Sequence, residues 1–167
     1  ERDRPVKAGS LVQPISQHEL ASRLSYFIWA SMPDAELRRA ADTGTLRNPR
    51  ALDLQVQRML RDPKAHALAE HFGGQWLQLR NLKGKQPNSH EFPDFDDNLR
   101  QAMLTEMDLF LSSVLQEDRS VVDLMTADYT FLNERLARHY GIQNVYGSHF
   151  RRVTLQNDVR KGLLGKG

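Results

Sequence analysis

Between residues 97 and 116 the apolar positions recur with the period of a helix. Met103, Met107, Phe110 and Val114 form one stripe, flanked by Leu99, Leu104, Leu111 and Leu115. Spacings of three and four place such residues on one face of an α-helix, and the flanking leucines widen that face. The pattern predicts a helix over about 97–116 that is buried on more than one side. The segments packed around it must then supply further apolar helix faces.

The same period recurs along the chain. Ser16 and Glu19 form a capping box ahead of Leu20, Leu24, Phe27 and Ile28, and Tyr26, Trp29 and Ala30 widen that face. Ser31 is expected to cap a short helix with Pro33 in its first turn, ending at Gly44. Asn48-Pro49 starts another, striped by Leu52, Val56, Met59 and Leu60. Asp62-Pro63 opens a longer helix striped by Ala65, Leu68, Phe72, Trp76 and Leu79. Gly73-Gly74 interrupts it, each glycine costing about 1 kcal/mol relative to alanine. That expense predicts a close crossing there, with the helix that starts at Ser16 as the partner and the Trp76 ring inside. Ser120 and Asp123 suggest a capping box before the apolar run Val121 to Met125. A last helix carries Leu132, Leu136, Ala137 and Tyr140 and stops at Gly141.

No strand series or internal repeat is visible, although Arg151 to Leu155 reads as a short extended piece. The expected fold is all-α: a compact orthogonal bundle of six or seven helices with an irregular C-terminal tail. Its organisation reads as an extended lead-in over 1–15, a helical domain over 16–141, and a tail over 142–167 that leads to a missing next domain.

Composition narrows the function classes. The chain has 167 residues, 40% hydrophobic and 26% charged, enough for one ordinary domain with its own core. Lys plus Arg is 23 against 21 for Asp plus Glu, and no basic patch is concentrated enough to suggest nucleic acid. The count of cysteines is 0, which removes disulfides, thiolate metal sites, a Cys nucleophile and covalent haem attachment within this segment. No apolar run approaches the roughly 18 residues of a membrane span. The opening Glu1-Arg2-Asp3-Arg4-Pro5 is charged, so no signal peptide is visible, and the chain reads as a segment of something longer.

The histidines and carboxylates are the first candidates for chemistry. His66 and His71 lie five apart, which turns an α-helix by about 140° past one full turn. They are expected to diverge, with His66 facing solvent. The acidic cluster Glu91, Asp94, Asp96 and Asp97 fails the calcium-loop pattern, because Leu99 and Thr105 stand where Gly and Glu are needed. Negative charge at a helix N-terminus accounts for it. Gly165-Lys166 fails the phosphate-loop pattern, with Arg160 in place of the first Gly. No metal is expected and no catalytic set is singled out. The candidates for contact with a cofactor docked from a neighbouring domain are His71, Trp76, His139 and Tyr140. His139, at a helix C-terminus, is expected to gain from the helix dipole as a protonated imidazole.

Several segments together resemble a known family. They are Leu20-Ala21-Ser22-Arg23-Leu24-Ser25-Tyr26-Phe27-Ile28-Trp29, Ser31-Met32-Pro33-Asp34 and Gly74-Gln75-Trp76-Leu77. They continue with Asp128-Tyr129-Thr130-Phe131-Leu132-Asn133-Glu134-Arg135-Leu136-Ala137, His139-Tyr140-Gly141 and Phe150-Arg151-Arg152-Val153. Over about residues 16–165 the chain resembles the domain of unknown function fifteen-ninety-two, found in large cytochrome-linked exported proteins of planctomycetes and related bacteria. The resemblance implies a c-type haem in a neighbouring domain, none in this segment, and a periplasmic or envelope setting. The implied partners are neighbouring domains of the same polypeptide, including a cytochrome-like one. It carries no catalytic residues with it.

The leading expectation is a non-catalytic helical module supporting a redox or substrate-binding assembly. The alternatives are part of an oxidoreductase or hydrolase active site formed with neighbouring domains, and a plain protein-interaction domain.

Overall fold

The computed structural model describes residues 14–156 and 158–166. The expected lead-in therefore lies outside the described residues except for Pro14 and Ile15, as does Gly167. The fold is mostly helical, as the sequence predicts, with a single two-stranded sheet among the described residues. The chain forms two compact units, one ending at Met59 and one beginning at Leu60.

The first unit contains α1 (Gln17–Trp29), α2 (Ala35–Asp42) and most of α3 (Pro49–Arg61). The capping box of α1 is formed in full by Ser16 and Glu19. Asn48 caps α3, its Oδ1 accepting from the amides of Arg50 and Ala51. Leu37, Leu46 and Met59 are buried outright, and the Trp29 indole donates to the Met59 carbonyl at 2.9 Å. Arg58 closes the unit with two hydrogen bonds to Asp34 and its guanidinium 5.5 Å from the Trp29 ring centroid. Two expectations are corrected here. Asp34, not Ser31, caps α2, because its carboxylate reaches the Leu37 amide at 2.8 Å and Pro33 precedes the cap. Tyr26 and Phe27 are exposed, since the buried face of α1 runs through Ala21, Ser25, Ile28 and Trp29.

The second unit is organised by α6 (Asp97–Gln116), the helix predicted at those bounds. Asp96 caps it, accepting from the Leu99 amide at 2.6 Å, and that bond, with Arg135 beside it, holds the carboxyl below its usual range. The first half of α6 buries Leu99, Ala102 and Met103 against Leu132, Leu136, Ala137 and Val145. The second half buries Met107, Phe110, Leu111 and Val114 against Ala69, Ala127, Tyr129 and Leu163.

The long helix expected from Asp62 onward is instead a succession of short turns. A 3-10 turn (Pro63–Ala65) is followed by α4 (His66–Leu68), a π-turn (Ala69–Gly73) and α5 (Gly74–Trp76). A 3-10 stretch, Leu79–Gly84, follows. The close approach exists, but at Gly73 alone and against α6. A Cβ on Gly73 would lie 2.5 Å from Cδ1 of Leu111, whereas one on Gly74 would meet nothing within 4 Å. Phe72 and Trp76 are exposed, because the π-turn rotates them off the stripe that Ala65, Leu68 and Ala69 bury.

The two glycines should therefore respond oppositely. Gly74→Ala is expected to stabilise by about 0.5–1 kcal/mol through helix propensity. Gly73→Leu is expected to destabilise by about 1–3 kcal/mol, because the added atoms overlap Leu111. Urea unfolding of the two variants checks this.

Beyond α6 the apolar run at 121–125 forms the single turn α7 (Asp123–Thr126) with Val121, Val122 and Met125 exposed. Ser120 makes a local turn, accepting from the Val122 amide at 3.2 Å, rather than a capping box. Leu132, expected on the last helix, ends strand β1 (Tyr129–Leu132), and α8 (Glu134–Tyr140) begins after the Asn133 cap. Gly141 terminates α8 at φ +70, as a C-terminal glycine should. The extended piece becomes β2 (Arg151–Thr154), antiparallel to β1 with Tyr129 opposite Thr154 and Leu132 opposite Arg151. The tail then turns back onto the core. The Gly162 amide donates to the Ala127 carbonyl at 2.9 Å, and Leu163 is buried.

Candidate functional site

The four sequence candidates occupy two places. Trp76 stacks on Phe72, one turn earlier, with centroids 6.0 Å apart and planes at 23°. Both rings are more than half exposed, Phe72 at 57% and Trp76 at 53%. His71, immediately before Phe72 in sequence, lines a separate cleft. His139 and Tyr140 lie together at the end of α8, ring centroids 5.6 Å apart.

Tyr140 belongs to a buried polar cluster that the sequence reading missed. Glu106, on the apolar face of α6, is 1% exposed. It accepts hydrogen bonds from the Thr130 hydroxyl and, at 2.6 Å, from the Tyr140 hydroxyl. The Arg160 guanidinium lies 3.7 Å from the Tyr140 ring centroid. Lys166 donates to the Tyr129 carbonyl at 3.2 Å, its ammonium 4.3 Å from the Phe110 ring centroid. A carboxylate in step with Met103, Met107 and Phe110 was the available signal. His139 departs from expectation: burial first, then Arg160 and Arg135, lowers its pKa below the ordinary imidazole value. The neutral form is favoured, and the expected dipole-stabilised cation is not.

Lys166 makes the pH dependence of this cluster specific. Burial lowers its ammonium to about 8, against the pull of Glu106 and with added repulsion from Arg160. In the unfolded chain a lysine titrates at about 10.4. Between these values the unfolded chain holds more protons, so stability should rise with pH. Solvent screening of this part-exposed group limits the rise to about 1–2 kcal/mol. Unfolding measured from pH 7.5 to pH 10 should show that rise in the parent and lose it in Lys166→Met.

The second place is a cleft of about 330 Å³ between α6, the π-turn and the 3-10 stretch at 79–84. His66 and His71 both line it. Their expected divergence fails because the π-turn hydrogen-bonds five residues apart, bringing side chains at that spacing towards one side. His66 is exposed, as the sequence predicts, and also reaches across to α6. Its Nε2 lies 3.4 Å from Oδ2 of Asp108, and its Nδ1 lies 3.4 Å from Oγ of Ser112. Asp108 is part-buried, and its Oδ1 is buried without a hydrogen-bond partner among the described residues. Burial raises the Asp108 pKa, His66 opposes that, and Glu70 adds to it. Gln101, Thr105 and Asp108, at spacings of four and three, form the polar face that α6 turns towards this cleft. That stripe was legible in the sequence beside the apolar one. Among the described residues, no three His, Asp or Glu side chains are placed to hold a metal ion.

The chain is thus mostly helical among its described residues, with a polar cleft beside α6 and an exposed aromatic pair. The chain belongs to the family described as protein of unknown function DUF1592, also termed PSD4, which it matches over residues 15–142. Phe150 to Val153 lie beyond the matched segment. No curated protein and no solved structure matches the chain.

Proposed function

We propose that this chain is a non-catalytic helical module of a larger, exported, c-type-cytochrome-linked protein, and that it seats a neighbouring domain of that polypeptide on its Phe72–Trp76 face. The haem belongs to the neighbouring domain, and the setting is the periplasm or cell envelope. The observation that carries the reading is the stacked, half-exposed aromatic pair. Aromatic side chains are costly to leave in water and are enriched where proteins meet. The link to a cytochrome is supported by the family resemblance of the sequence segments. No helix among the described residues is long and apolar enough to cross a membrane.

Hydroxyl-radical footprinting of the intact polypeptide tests the docking. Trp29 is buried and serves as the internal standard. Seating predicts that Trp76 is protected to the level of Trp29. Oxidation of Trp76 at the rate of a half-exposed ring would refute the docking. The visible absorption of the same sample tests the haem link, which requires the bands of a c-type haem.

A further inference from the structure

The cleft beside α6 carries charges that the chain does not use. The side chains of Glu70, His71, Arg80 and Lys83 line it, yet none makes a hydrogen bond or ion pair with any described residue. The charges are also segregated by element. Glu70 comes from the π-turn and Asp108 from α6, whereas Arg80 and Lys83 both come from the 3-10 stretch. Among the described residues, neither Arg80 nor Lys83 reaches Glu70 or Asp108 within ion-pair distance, and Asp108 pairs with His66. The cleft thus presents an acidic wall and a basic wall, with the uncharged Thr105 and Gln101 also lining it.

We propose that this cleft is a binding site for a small zwitterion: an amino-carboxylate whose ammonium and carboxylate are separated by several bonds. The ammonium settles between Glu70 and Asp108, and the carboxylate on Arg80 and Lys83. An ammonium there relieves the repulsion between the two acidic groups, and a guanidinium is well shaped for a carboxylate. A simple anion leaves the acidic wall unmatched, and a simple amine leaves the basic wall unmatched, so the paired charges supply the selectivity. The cleft volume suits a small ligand, at the lower end of the usual range for such sites. The π-turn fits this role, because such turns inside helices occur frequently at functional sites.

The probe is 5-aminopentanoate, with pentanoate and pentylamine as singly charged controls, titrated calorimetrically into the full chain. Imidazole resonances of His66 and His71 are followed by NMR in parallel. The zwitterion is expected to bind about tenfold or more tightly than either control and to shift both imidazoles. Glu70→Gln and the double change Arg80→Gln with Lys83→Gln should each weaken it by about tenfold or more. Neither variant should disturb the fold, since these side chains make no hydrogen bond or ion pair with any described residue, and circular dichroism checks that. Pentanoate binding as tightly as the zwitterion, with Glu70→Gln without effect, overturns the proposal in favour of a bare anion site. Equal binding of pentylamine overturns it in favour of a cation site. Absence of binding by all three at millimolar concentration also overturns it.

Discussion

Phe110→Ala is expected to lower the unfolding free energy by about 3–5 kcal/mol, the range for emptying a fully buried aromatic site. Phe110 is 0% exposed and sits where the second half of α6 meets β1 and the returning tail. Its ring lies 5.6 Å from that of Tyr129 at 52°, and the Lys166 ammonium rests above it. Truncation leaves a cavity bounded by three separate segments, which a shift of one side chain does not fill. Met107→Leu, a volume-conserving change on the same face, should cost less than about 1.5 kcal/mol. Urea unfolding distinguishes them: the midpoint should fall sharply for Phe110→Ala with an unchanged slope. Equal midpoints would mean that this half of α6 does not organise the core.

Glu106→Ala should be comparably severe, at about 3–5 kcal/mol, for a different reason. The change removes the shared acceptor of the Thr130 and Tyr140 hydroxyls and the negative charge that faces Lys166. A buried donor on Thr130, a part-buried donor on Tyr140 and a part-buried ammonium then lose their compensation. Glu106→Gln keeps the shape and one acceptor oxygen, so it should cost about 1–3 kcal/mol. Thermal unfolding of both variants at pH 7 tests the ordering. If alanine proves no worse than glutamine, the cluster contributes packing and no net electrostatic stabilisation.

These two residues explain why one helix carries so much of the second unit. Phe110 and Glu106 are four residues apart and lie on one face of α6. The first anchors the hydrophobic contacts, and the second ties β1 and α8 to the same face through hydroxyl groups. Polar burial of this kind is stable only when each member is satisfied. The tail contributes Lys166 to the cluster, so residues that read as irregular in sequence are integral to the core. Arg160 makes a second contact from that tail, stacked on Tyr140.

What the amino-acid order determined by itself is local. The 3.6-residue period of Met103, Met107, Phe110 and Val114 placed α6 at its observed bounds, because apolar periodicity over five turns leaves little choice of secondary structure. Ser16 with Glu19, Asn48 with Pro49, and Gly141 marked their helix ends because capping depends on nearby backbone groups alone. Periodicity did not decide which aromatic residues are buried. Phe72 and Trp76 fell on a regular stripe only if the helix stayed α, and the π-turn at 69–73, seated at Gly73 against Leu111, moved them to the surface. The same turn brought His66 and His71 to one cleft, where ideal helical geometry set them apart. Leu132 fitted the spacing of the last helix but was claimed by β1, since pairing with β2 satisfies its backbone across a separation that local pattern does not encode. The sites share that character. Glu106 meets Thr130, Tyr140 and Lys166, and Glu70, Arg80, Lys83 and Asp108 line one cleft, only because separate segments pack on a common helix. Charge balance and burial are properties of that packing, and the tertiary structure alone decided them.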